Sequence, residues 1–408
     1  MSWTRALSCC ALLASTSLAL PAMAQAERYS AGTVKIGVLN DRSGPVSDAS
    51  GEGSVVAARL AVEEFGGRVN GIPVEVVSAD HQNKPDIGST ISRQWYDRDN
   101  VDIVVDIANS AVSLALINIA GDRNKIVIHN SGSAEITGKS CHPVSMQWTF
   151  NTFANANAFA NAIVKEGGRD TWFIMAADFA YGHAASADLR RFVEQYGGKI
   201  VGEVRHPVGA SDFTSFLLQA QASNAKVIAL ANSATDLANS IKQAAEFRIG
   251  ADGKQILVSP TAVNTSEVDA LGLEVAQGIQ GMSSFEWNRT DATRALAKRF
   301  QDKFGKLPTA NQAGVYSSVR HYLKAVQAAG TDETGAILTQ MRAMPVNDAY
   351  AENGRLREDG QMLHDLYVVR VKKPAESKAK GDYFTIAETV PGEQAFQTAA
   401  QSACRLLK

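Results

Sequence analysis

Thr33-Val34-Lys35-Ile36-Gly37-Val38-Leu39 is an alternating apolar run, and Asn40-Asp41-Arg42-Ser43-Gly44-Pro45-Val46-Ser47-Asp48 follows it at once. Alternation over seven residues predicts a half- or fully buried strand, and the polar, Gly/Pro-bearing stretch predicts the turn that ends it. The next periodic segment is Ser54–Phe65, where Val55, Ala58, Val62 and Phe65 fall on one helical stripe. Pro73–Ala79 then reads as a second strand. Two strands joined through a helix must run parallel, because a parallel pair needs a long crossover. This one unit therefore predicts an α/β layered fold.

The unit repeats along the chain. Asp86–Arg98 and Ser110–Asp122 read as helices, with Val101–Asp106 and Lys125–Asn130 as strands between and after them. A second series begins at a helix over Ala154–Glu166 and continues through strands at Thr171–Ala176, Lys199–Arg205, Lys226–Ala231 and Gln255–Ser259. Two such series predict two similar lobes with parallel sheets. Helical patterns near Ala292–Phe304, Gln312–Ala328 and Thr334–Met344 have no strands among them, so the segment after a strand near Gly278–Phe285 is expected to return to the first lobe. Leu366–Val371 reads as a last strand, and the residues after Gly381 carry no pattern that places them.

Composition sets the outer limits. Hydrophobic residues make up 45% and charged residues 20% of 408 residues, which is ordinary globular usage and enough chain for a large core without a metal staple. The formal net charge of −2 argues against a polybasic nucleic-acid binder. Residues 1–24 read as a secretory leader: Arg5 precedes an apolar stretch from Ala6 to Leu20, and Pro21-Ala22-Met23-Ala24 supplies a small-x-small cleavage site. Export changes the meaning of the cysteines. Cys9 and Cys10 leave with the leader, so Cys141 and Cys404 remain in an oxidising compartment, where one disulfide is expected and two buried free thiols are the alternative.

Ligands of open parallel sheets bind beyond the carboxyl ends of the strands. Those ends here are Asn40–Asp48, Ile107-Ala108-Asn109-Ser110, His129-Asn130-Ser131-Gly132-Ser133, Ala177-Asp178-Phe179-Ala180-Tyr181-Gly182, Asn232-Ser233-Ala234-Thr235-Asp236 and Pro260-Thr261-Ala262-Val263-Asn264. All are rich in residues that cap helices, which is the plain reading. Two such clusters facing each other would also line a cleft with hydroxyls and helix N-terminal amides, suited to a small polar or carboxylate ligand. Chemistry-bearing motifs do not appear. No Gly-x-Gly-x-x-Gly follows the first strand, and Gly132…Gly138-Lys139-Ser140 has five intervening residues where a phosphate loop has four. No nucleophile elbow, His-Glu-x-x-His or metal-ligand pair is present, so neither an enzyme nor a cofactor or metal is expected. Trp287, in Phe285-Glu286-Trp287, is the aromatic residue assigned to the cleft.

Lys35-Ile36-Gly37-Val38-Leu39, Ser43-Gly44-Pro45 and Asp178-Phe179-Ala180-Tyr181-Gly182 together resemble the solute-binding proteins of branched-chain amino acid-type ABC transporters. The resemblance implies a type I periplasmic binding fold: two Rossmann-like lobes with parallel sheets, joined by a three-segment hinge. It divides the chain into a first lobe of 27–149 plus 283–363 and a second of 150–282 plus 364–408. It implies a periplasmic monomer that passes a small molecule to an inner-membrane ABC permease and its ATPase, with no nucleic-acid partner; the alternative is a ligand sensor serving a receptor or kinase. By position, Ser110 with Ala111 matches the family's carboxylate-binding serine, Ser131, Gly132 and Ser133 the next ligand loop, Tyr181 the covering tyrosine, and Ser233 a further covering position. Thr261 stands where amino-acid binders of the family carry the acid that pairs with the ligand ammonium. The departure points to a small carboxylate without an α-amine, aromatic acids included, with Asp48, Asp236 or Glu286 left to serve an amine.

Overall fold

The computed structural model describes residues 28–251 and 253–408. The expected leader lies outside the described residues. The first sheet is built from β1 (Val34–Asn40), β2 (Arg68–Val69), β3 (Ile72–Asp80), β4 (Ile103–Ile107), β5 (Ile126–His129) and β6 (Ser145–Gln147), with α1 (Gly51–Glu64), α2 (Pro85–Asp97) and α3 (Ser110–Asp122) as crossovers. Its order is β2-β3-β1-β4-β5-β6, parallel except for the β2–β3 hairpin. β1 and β4 are buried along almost their whole length, as a central parallel strand covered on both faces must be. Gly37 is required at the centre: a Cβ there would stand 2.5 Å from the Trp95 ring of α2.

The second sheet draws on β7 (Thr171–Ala177), β8 (Lys199–His206), β9 (Val227–Ala231), β10 (Ile256–Ser259) and β11 (Gln280–Ser283), alternating with α4 (Thr152–Lys165), α5 (Ala180–Gln195), α6 (Thr214–Ala222), α7 (Ala234–Glu246), α8 (Thr265–Leu271) and α9 (Leu273–Ala276). After β11, α10 (Asp291–Phe304), α11 (Ala310–Ala329) and α12 (Thr334–Ala343) place Leu296, Phe300, Tyr322 and Met341 in the core of the first sheet. The helices without a sheet thus return to the first one. A hairpin of β12 (Arg355–Leu356) and β13 (Met362–Leu363) follows. β14 (Leu366–Val371) and β15 (Phe384–Val390) then rejoin the second sheet as antiparallel strands, giving the order β15-β14-β11-β10-β9-β7-β8. Both sheets are therefore parallel-dominated and mixed. The tail, which had no pattern to place it, packs: Phe396 is buried in the second core.

In each sheet the chain reverses its direction of winding once. β1 leads to β3 on one side and to β4 on the other, and β7 leads to β8 and then β9 in the same way. These switch points open crevices at the carboxyl ends of the strands. Buried amides hold the loop after β5 and the connecting segments in place. Gln147 Nε2 donates to the carbonyls of Ser131 (2.7 Å) and Ser133 (3.0 Å), and Asn151 Nδ2 donates to Gln361 Oε1 (2.8 Å). Cys141 and Cys404 form a disulfide, with Cα atoms 5.7 Å apart. It joins the loop between β5 and β6 to the tail beyond β15, and so links a first-sheet segment to a second-sheet one.

Candidate ligand cleft between the two sheets

The two switch points face one another across a cleft of about 580 Å³ including its mouth. The first lobe contributes Val46 and Ala49 from the loop after β1, Ala108 and Asn109 after β4, Asn130 and Gly132 after β5, and Asn311 from the first turn of α11. The second contributes Phe179 and Tyr181 after β7, Ser233 and Ala234 after β9, and Ala262, Asn264 and Glu267 after β10. Phe150 lines the back.

The first-lobe loop is shaped by one carboxylate. Asp41 accepts from the amides of Gly44 (2.8 Å) and Val46 (3.0 Å) and from Asn83 Nδ2 (2.6 Å). The turn it fixes brings the Pro45 carbonyl to the second lobe, where the Thr235 hydroxyl (3.1 Å) and amide (3.4 Å) donate to it. The lobes also touch through Tyr181 and Gly132: a Cβ on Gly132 would lie 2.4 Å from Tyr181 Cε2. Burial pushes the Tyr181 phenol well above its ordinary pKa, while a side-chain hydrogen bond to Thr261 acts against that.

The assigned residues divide. Gly132, Tyr181 and Ser233 line the cleft. Ser110 follows the cleft-lining Asn109 but does not itself line the cleft; it is buried, and its Oγ has no hydrogen-bond partner among the described residues. The Ala111 amide is not free for an anion, because Asn109 Oδ1 caps it at 2.9 Å and the Val112 amide at 3.1 Å. Ser131 is turned inward, its Oγ 2.8 Å from Ser113 Oγ. Ser133 lines a neighbouring groove with Glu135, Lys139 and His183. Thr261 is spent internally, donating to the Asn232 carbonyl at 2.7 Å.

Two assignments need correction. Asp48 is exposed and pairs with Lys306 (3.2 Å) in a pocket outside the cleft, because the Asp41-held turn points Val46 inward and Asp48 outward. Trp287 donates its indole N–H to the Gly381 carbonyl at 2.7 Å and lines a separate pocket beside Pro308 and Phe384. Among residues the sequence did not single out, Glu267 matters most. It is the one acidic side chain lining the cleft among the described residues, and it sits in the capping box of α8. Its Oε2 accepts from the Asn264 amide (2.9 Å) and the Ser266 hydroxyl (3.0 Å), and burial raises its pKa. No His/Cys/Asp/Glu cluster suited to a metal occurs among the described residues.

Residues 33–380 match the sequence family of periplasmic binding proteins. The chain belongs to that family. A periplasmic binding protein from Burkholderia mallei is 44% identical, with a TM-score of 0.89 over 93% of this chain and all of that one. A branched-chain amino acid ABC transporter periplasmic ligand-binding protein from Burkholderia xenovorans is 39% identical, with a TM-score of 0.83 over 92% of this chain and all of that one. A solute-binding protein from Rhodopseudomonas palustris, solved in complex with benzoate, shares the fold at 17% identity and a TM-score of 0.81, over 91% of this chain and 99% of that one. The protein is thus a solute-binding protein of the ABC-transporter, branched-chain amino acid type, and its family places it outside the cytoplasm. Among the described residues no helix is long and apolar enough to cross a membrane.

Proposed function

We propose that the periplasmic binding protein carries a small organic carboxylate, aromatic acids included, as a monomer to an inner-membrane ABC permease and its ATPase. The cleft holds the ligand between lobes that hinge about the three connecting segments. The supporting observation is the pairing of an aromatic wall (Phe150, Phe179, Tyr181) with the unpartnered buried hydroxyl of Ser110, the first residue of α3 and the chain neighbour of the cleft-lining Asn109. A buried hydroxyl without a partner is costly, and a ligand carboxylate would accept its hydrogen bond. The benzoate complex of the R. palustris protein is a precedent for the fold.

A second reading has its own observation. Glu267 lines the cleft only six residues after Thr261, so an acid is present for an α-amine although the expected position holds threonine. The test is a thermal-shift screen of mature protein refolded from denaturant, against benzoates, aliphatic acids and L-leucine. A ligand at a thousand times its Kd stabilises by about 4 kcal/mol, a shift of several degrees. A shift with aromatic acids and none with L-leucine supports the first reading. The reverse result favours the amino-acid reading through Glu267.

A further inference from the structure

Asp106 stands at the carboxyl end of β4, at the switch point of the first sheet, and nothing in the fold repays its presence. Its φ is +65°, a left-handed conformation that side chains other than glycine rarely adopt, and the β4–β5 register shifts at this residue. Its side chain is buried. The groups facing it are Asn40 from β1, Ser54 from α1 and Asn130 from the end of β5, and none of these is charged. A buried carboxyl with no counter-charge is costly to ionise, and burial pushes its pKa up to about 7.

Its partners give it a purpose. Asn40 Nδ2 donates to Asp106 Oδ2 at 2.8 Å, and Asn130 Nδ2 donates to Oδ1 at 3.1 Å. An ionised carboxylate only accepts, so each amide must turn its NH₂ toward it. Asn130 Nδ2 is also within 3.2 Å of the Asn311 carbonyl of α11. With its NH₂ so engaged, the orientation of Asn130 is settled. Its Oδ1 is buried without a partner among the described residues, and Asn130 lines the cleft.

We infer that Asp106 is a positioning residue for ligand selection: its carboxylate locks the Asn130 amide so that the carbonyl oxygen offers an acceptor to a hydroxyl or ammonium on the ligand, and protonation releases the lock. A protonated Asp106 can donate to an Asn130 oxygen, and the amide then turns its NH₂ outward by giving up its bonds to Asp106 and to the Asn311 carbonyl. Selectivity for a donor-bearing ligand then declines as the pH falls. The inference rests on the cleft being the ligand site, but the Asp106–Asn130 coupling can be read without any ligand.

The experiment is an NMR titration of the isotope-labelled mature protein from pH 5 to 9. The Asp106 carboxyl carbon and the Asn130 side-chain amide should move with one midpoint near neutrality, and Asp106→Asn should abolish the Asn130 transition. Asp106 titrating in the ordinary carboxylate range, or an Asn130 amide that does not follow it, overturns the inference. Binding is read with 4-hydroxybenzoate and benzoate, which differ by one donor. The preference for 4-hydroxybenzoate should fall at least tenfold from pH 8 to pH 5.5 in the wild type and be absent at both in Asp106→Asn. Asn130→Ser serves if Asp106→Asn does not fold: Asp106 should still titrate while the pH dependence of the preference disappears. A preference that is independent of pH overturns the inference. Failure of both probes to bind overturns the aromatic-acid reading of the cleft, and the titration still decides the coupling.

Discussion

Gly132→Ala isolates closure of the cleft from folding. Gly132 belongs to the first lobe and its nearest neighbour, Tyr181, to the second. A methyl group at Gly132 would sit 2.4 Å from Tyr181 Cε2 and 2.9 Å from Phe150 Cε2, both below any real contact distance. Gly132 does not have a left-handed φ, so alanine strains no backbone there. The added carbon therefore acts mainly where the two lobes meet, at Tyr181, with a second and looser contact on Phe150. Overpacking of a fitted contact costs about 1–3 kcal/mol. That cost falls on the closed arrangement and is relieved as Tyr181 withdraws, so affinity should drop by about 5- to 150-fold. The unliganded protein should unfold within about 0.5 kcal/mol of wild type. Calorimetric titration with the acid that gives the largest thermal shift measures the first quantity and urea unfolding the second. In a Tyr181→Ala background the same substitution should cost less, because only the Phe150 contact then remains. Binding within twofold of wild type for Gly132→Ala would refute closure through this contact.

Three further outcomes follow from the same structure. Reducing the Cys141–Cys404 bridge, whose ends are 263 residues apart, should lower Tm; the chain-entropy relation assigns the loop at most about 5.6 kcal/mol, and an unreduced sample that takes up two alkyl groups would show that no bridge forms. Glu267→Gln keeps a capping-box side chain at α8, so Tm should hold while affinity for L-leucine falls and that for benzoate does not; equal affinities would remove Glu267 from amine recognition. Asp106 has a folded-state pKa of about 7, above the roughly 3.9 of an unfolded chain. The folded state therefore holds its proton more tightly, and wild-type stability declines between about pH 4 and 7, by at most about 4 kcal/mol. Asp106→Asn should gain on wild type as pH rises through that window, and an equal stability difference at pH 5 and pH 8 would contradict the burial argument.

What was legible in the sequence was what periodicity and capping residues encode locally. The strands that carry the cleft could be placed by alternation, and their carboxyl ends by the Asn, Ser and Asp that follow them. Gly132, Tyr181 and Ser233 stand in these strand-end loops and line the cleft; their assignment to a ligand came from the family resemblance. Glu267 was missed because α8 spans only seven residues and has no stripe to announce a helix. Asn311 reaches the cleft from α11, after the chain has crossed to the second sheet and returned, and no spacing encodes that. Asp48 was misassigned because loop residues two positions apart can face opposite ways once a buried carboxylate, here Asp41, has set the turn. Trp287 was misassigned because a large aromatic near a lobe crossing suits a cleft equally well until its N–H is seen to be taken by Gly381.

The two lobes use equivalent strand ends for different purposes, and the difference lies in who satisfies the helix that follows. In the first lobe Asn109 caps α3 with its own side chain. The helix is complete without a ligand, which leaves the Ser110 hydroxyl as the unsatisfied group. In the second lobe Ser233 makes no such capping bond to α7, and Ala234 holds a φ of +51°, a strained value for alanine. The Thr235 amide of that helix instead donates to the Pro45 carbonyl of the opposite lobe. One helix end is finished at home, and the other is finished only when the lobes meet. Residues that break local rules, Asp106 in one lobe and Ala234 in the other, stand at these two switch points. The lobes meet through Thr235 on Pro45 and Tyr181 against Gly132, and on the reading proposed above ligand discrimination falls to Ser110 and Asn130.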